Sequence, residues 1–153
     1  AGFVSRVCQL LTEQGVPASQ LTLEVTESLV VDDVAQVAAK MQALADLGVR
    51  FSVDDFGTGY SSLRYLKRLP LHELKIDKGF VQDAPHSPDD AALVDTMLAV
   101  ASHMGLGVVA EGVESQAHAD FLATRGIDML LQGYLYGRPE PAADWLARWA
   151  RSV

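Results

Sequence analysis

The chain has 153 residues, 49% of them hydrophobic, which is enough for one domain with a sizeable core and too little for two. Its formal net charge is -8 at pH 7, a field that repels polyanions and excludes a nucleic-acid polymer gripped by basic side chains, so a phosphate ligand would have to be met through a cation. A lone cysteine, Cys8, excludes an intrachain disulfide scaffold and is expected to pack in the core; no run approaches the ~18 apolar residues of a membrane span. These features fit a cytoplasmic segment without membrane contact, although a parent protein could still be membrane-anchored. The start without Met, inside an apparent helix, suggests a piece of a larger protein.

In chain order, apolar Phe3, Val4, Val7, Leu10 and Leu11 recur at helical spacing over residues 3–14, before Gly15 and Pro17. Residues 21–26, LTLEVT, alternate apolar Leu21, Leu23 and Val25 with Thr22, Glu24 and Thr26, a strand pattern. Val34, Val37, Ala38, Met41, Leu44 and Leu47 predict the apolar face of a helix over 34–47, closed at Gly48. A strand over 49–54 leads into DDFGTGYSS, where Ser61 or Ser62 is placed to cap a short helix that ends by Pro70. HELKID, 72–77, reads as a third strand. Pro85, Ser87 and Pro88 mark a loop before a helix opened by Asp89 and Asp90 and running over 91–104. A strand over 107–111, a helix over 116–125, a strand over 127–131 and a helix over 142–149 complete the pattern. Repeated βα units of this length imply a parallel sheet, because parallel strands need a long, usually helical, crossover. About five units are present, where a closed eightfold barrel needs about 250 residues.

Glu24, Asp54 with Asp55, Lys75 and Glu111 each fall at or near the C-terminal end of successive predicted strands, the edge where parallel α/β folds build active sites. Parity sets Glu24 opposite Leu23 and Val25, Asp54 with Ser52, and Lys75 between Leu74 and Ile76, so these polar side chains should face one common interior. Clustered carboxylates repel one another and lose solvation unless cations neutralise them. An oxygen-rich set suits Mg²⁺ or Mn²⁺, and two such ions about 3.5–4 Å apart are a recurrent device for phosphoester hydrolysis. Asp54 and Asp55 could serve both, with Lys75 a fixed positive charge beside the attacking water or the phosphoryl oxygens.

Each residue also has a plainer reading. A strand glutamate is usually solvated, Asp55-Phe56-Gly57 is ordinary turn chemistry, Lys75 and Asp77 could be a surface pair, and Glu111 with Glu114 could favour the start of the next helix. Their joint placement on one rim is what separates them from those readings. His72, His86, His103 and His118 lack metal-ligand spacing, and Trp145 and Trp149 fit an apolar helix face.

LTLEVTES at 21–28, FSVDDFGTGYSSLRYLKRLPLHELKID at 51–77, VVAEGVES at 108–115 and QGYLYGRP at 132–139 resemble, in order and spacing, the EAL-type cyclic di-GMP phosphodiesterases. The resemblance implies that residues 1–153 are a partial EAL domain, the C-terminal part of a TIM-barrel-like (β/α)₈ fold that uses two Mg²⁺ or Mn²⁺ ions to hydrolyse cyclic di-GMP to linear pGpG. By position it implies Glu24, Asp54 and Asp55 as metal ligands, Lys75 as the holder of the nucleophilic water, and Glu111 as general base or second-metal ligand. It further implies Glu114 as support for Glu111, Glu27 as anchor of the loop from Asp54 to Ser62, and Gln132 as a guanine contact. The family's EAL glutamate and a ligand asparagine come from strands preceding these motifs, so this segment is expected to be truncated relative to an active domain. Its open strand edges predict a homodimer. An upstream sensor or GGDEF-type domain is compatible with such a parent. The alternative is a catalytically silent cyclic di-GMP-binding or regulatory EAL module.

Overall fold

The pleat dictates the architecture. In the computed structural model, which describes residues 2–26, 34–58 and 63–151, five strands pair in parallel in sequence order. They are β1 (Thr22–Thr26), β2 (Arg50–Phe56), β3 (Glu73–Ile76), β4 (Gly107–Ala110) and β5 (Leu130–Leu131). Register places Val25 beside Val53, Val53 beside Leu74, and Leu74 beside Val108, so one face carries a continuous apolar row. That row is 8%, 0%, 0% and 5% exposed. The opposite face carries Glu24, Ser52 and Lys75, as the alternation in the sequence predicts.

Helices cover the apolar face in two groups. α1 (Phe3–Gln14) and α2 (Val34–Ala45) pack Val4, Val7, Leu11, Met41 and Leu44 against Val25 and Phe51, and half-buried Cys8 belongs to this group. The second group comprises α3 (Leu63–Leu66), α4 (Lys78–Asp83), α5 (Pro88–Met104) and α6 (Gln116–Ala123), while α7 (Ala142–Trp149) buries none of its residues and belongs to neither. α5 supplies Val94, Met97, Leu98 and Ala101 to the second group, with Val53, Leu74 and Val108. Ser87 caps α5 by accepting from Asp90 N at 3.3 Å, Pro88 follows in the first turn, and Asp89 and Asp90 meet the positive helix end.

Three expectations shift. α2 ends at Ala45, so Leu47 lies past the helix and is 54% exposed instead of continuing the core face. β5 has only two residues, because Ile127, Asp128 and Met129 stay outside the ladder. α4, which the sequence did not suggest, forms because Asp77 caps it by accepting from Gly79 N at 2.8 Å while Val81 anchors it in the core. Among the described residues no helix is long and apolar enough to cross a membrane. The expected Ser61 or Ser62 cap lies outside the described residues.

Candidate active site

Parallel pairing brings the ends of β1 to β4 side by side, and Lys75 of β3 becomes their centre. Its Nζ lies 2.8 Å from Glu24 Oε1 of β1, 3.0 Å from Asp54 Oδ1 of β2 and 2.6 Å from Glu111 Oε1, just past β4. Its side chain is 6% exposed, against 53% for Glu24, 23% for Asp54 and 19% for Glu111. Glu111 is fixed by its backbone, whose N donates to Ile76 O at 3.1 Å. Burial alone pushes the Lys75 ammonium down, but Glu111 first, then Glu24 and Asp54, outweigh it and hold the group above the ordinary lysine range.

Asp55 stands beside this group in a strained turn. The register between β2 and β3 shifts between Val53 and Phe56, and Asp55 adopts φ 53°, a left-handed conformation that Asp tolerates better than most residues. Thr58 closes the turn, its N and Oγ1 both donating to Asp55 O at 3.2 and 2.8 Å. Partial desolvation at the strand end, then the Asp54 and Asp77 carboxylates, outweigh the pull of Lys75 and push the Asp55 carboxyl above its usual 3.8.

Asp54, Asp55 and Glu111 each offer a carboxylate oxygen within 4.8 Å of the others. One ammonium cannot neutralise these three together with Glu24. Asp54 Oδ1 is buried, with the Lys75 ammonium at 3.0 Å as its charged partner. Hard oxygen donors and excess negative charge fit Mg²⁺ or Mn²⁺.

The other candidates are placed differently. Glu114 is exposed, is not among the carboxylates bound to Lys75, and offers its backbone N to His118 Nδ1 at 3.2 Å. Helix α6 is capped by Ser115, which accepts from His118 N, and not by either glutamate. Gln132 is exposed in a separate cleft of about 430 Å³ with Tyr134, Arg138 and Trp145. Its backbone still ties it to the site, because Gln132 N donates to Ala110 O at 2.9 Å and Val113 N to Gln132 O at 3.1 Å. Gly133 permits that tie, since a Cβ there would overlap the Val113 backbone. Glu27 lies outside the described residues. His72, His103 and His118 are occupied with backbone groups, at 3.3, 2.7 and 3.2 Å. Asp77 was not singled out as a site residue, yet it caps α4 and faces Asp55; its signal was an Asp preceding Phe80, Val81 and Ala84 at helical spacing.

Comparison with known proteins extends this picture. A family model described as the EAL domain matches residues 1–139. The chain is 48% identical over 147 residues to the bifunctional diguanylate cyclase/cyclic di-GMP phosphodiesterase MucR of Pseudomonas aeruginosa, covering 96% of this chain and 21% of MucR. Its fold is similar to that of the PaMucR phosphodiesterase in complex with c-di-GMP, with a TM-score of 0.89 and 47% identity over 95% of this chain and 58% of that one. It is also similar to a manganese/cy-diGMP complex of Klebsiella pneumoniae BlrP1, with a TM-score of 0.81 and 34% identity over 89% of this chain and 34% of that one.

Proposed function

The chain belongs to the EAL-domain family, and from that premise we propose that it supplies the C-terminal, Lys75-centred part of a cyclic di-GMP phosphodiesterase that cuts one 3′-5′ phosphodiester to give linear pGpG. The observation that carries this reading is the gathering of Glu24, Asp54 and Glu111 from three strand ends around one buried ammonium, with Asp55 alongside.

Asp54, Asp55, Glu111 and Glu24 would hold Mg²⁺ or Mn²⁺, which when bound neutralises phosphate charge and lowers the pKa of a coordinated water. Lys75 is a fixed positive charge that stays protonated at any physiological pH; it orients the attacking water or stabilises charge on the phosphoryl oxygens. Glu111, in contact with Lys75, would either accept the water's proton or serve as a ligand of the second metal. Gln132, Tyr134 and Arg138 offer stacking and hydrogen-bonding groups to a guanine from the neighbouring cleft. By the same reading Glu114 supports the Glu111 loop, Glu27 anchors the loop after Asp54, and residues 1–153 act as part of an EAL domain whose preceding strands carry its remaining metal ligands. The β1 edge would then be covered by those strands or by a second copy in a homodimer.

The test is cyclic di-GMP turnover with Mg²⁺ or Mn²⁺, scored as pGpG formed, beside Asp54→Ala. Turnover lost on the substitution would mean that this rim takes part; turnover indifferent to it would remove these carboxylates from the reaction; no turnover by the folded chain would mean that the ligands on the preceding strands are indispensable. One observation favours a second reading, a catalytically silent receptor: Lys75 already balances part of the rim charge, so the site can persist without a metal. Binding of cyclic di-GMP in EDTA without turnover would select it.

A further inference from the structure

Helix α4 and helix α5 reach the site from behind. Gly57, two residues past Asp55, has φ 99°, and a Cβ there would overlap Met97 Cε of α5 and lie 3.1 Å from Phe80 Cε2 of α4. Met97 is 5% exposed and half-buried Phe80 packs on the same core cluster, so both lie between the turn and the core. Gly57 thus lies against an apolar shelf, while Thr58 closes the turn through Asp55 O. α4 also abuts the second ligand loop, since a Cβ on Gly112, next to Glu111, would overlap Lys78 Cβ.

We infer that Phe80 and Met97 are positioning residues: their contact with Gly57 sets the left-handed turn that aims the Asp55 carboxylate at the space shared with Asp54 and Glu111. This deepens the metal-dependent reading and rests on it. A buried side chain under a strained turn fixes the turn by packing, because close-packed interiors transmit a lost contact as a shift of the backbone. Shelf residues that touch no ligand can then govern ion affinity as supporting groups do around other metal sites.

The test uses the full chain with Mn²⁺ as probe. Met97→Ala and Phe80→Ala are compared with Leu98→Ala, equally deep on α5 but not among the atoms nearest Gly57, and with Met97→Leu, which refills the volume. Calorimetry on folded protein should show Mn²⁺ affinity about ten- to a hundredfold weaker in Met97→Ala and Phe80→Ala, retained in Leu98→Ala, and largely restored in Met97→Leu. Half-buried Phe80 keeps the question answerable should Met97→Ala fail to fold. In metal-free protein, exchange of the Thr58 amide should accelerate in the two shelf variants beyond what their global stability accounts for. If both shelf variants follow Leu98→Ala in affinity and in Thr58 exchange, the positioning role is overturned. If wild type shows no Mn²⁺ binding sensitive to Asp54→Ala, the metal-dependent reading fails instead, and Thr58 exchange alone decides whether the shelf holds the turn.

Discussion

At the N-terminal ends of β2, β3 and β4 the ladder is regular: His72 N donates to Phe51 O and Gly107 N to His72 O, both at 2.9 Å, and Arg50 and Glu73 border an open surface cleft. At the C-terminal ends of the same strands the β2–β3 register breaks, Asp55 turns left-handed, and a lysine is buried among carboxylates. The difference separates what the sheet needs from what it carries. Regular pairing and an apolar row suffice to form the sheet, and nothing in folding requires the charge cluster at the far end, whose cost points to chemistry.

The contrast can be broken most severely at its centre. Lys75→Met leaves the carboxylates facing one another without their ammonium, and urea unfolding of the metal-free chain should show a loss of about 3–5 kcal/mol, with turnover gone. Retained stability would mean that solvent, not Lys75, screens the rim. Its neighbour Leu74, 0% exposed on the opposite face, sharpens the comparison: Leu74→Ala should cost about 2–5 kcal/mol yet leave the Mn²⁺ affinity of folded protein as it was. pH separates the two ends more gently. Because the folded-state pKa of Lys75 is raised above 10.5, its contribution is fully present below that value and lost as pH rises through the folded pKa. Alkaline denaturation should therefore begin above about pH 10.5, and Lys75→Met should lack that component. The smallest effect is at Asp55, whose raised pKa means that ionisation above 3.8 costs stability in the metal-free chain. Asp55→Asn should raise the metal-free Tm by no more than about 2 °C at neutral pH, give no gain at pH 3, and weaken Mn²⁺ binding.

Much of this was readable from residues alone, for a reason that differs by feature. Alternation in LTLEVT is imposed by the pleat, so the facing of Glu24 away from Val25 followed from sequence, as did the shared rim of Asp54, Lys75 and Glu111 once parallel order was inferred. Helix α4 was hidden because Gly79 is a poor helix former and the six-residue helix depends on the Asp77 cap and the anchoring of Val81. The brevity of β5 depends on whether Ile127, Asp128 and Met129 find a partner, which no local pattern encodes. The shelf under Gly57 joins residues distant along the chain and left no periodic signal.

The chain has two tryptophans, and both sit on α7, their rings stacked at 5.3 Å and 17° and 43% and 58% exposed. Intrinsic indole emission is therefore a local report on one surface helix, blind to the sheet and to Lys75. An unfolding curve followed by that emission reads α7 first of all, and its coincidence with circular dichroism tests whether this helix melts together with the strands. The same placement makes the emission a built-in sensor: a blue shift on mixing with another protein would mean that this helix has been covered.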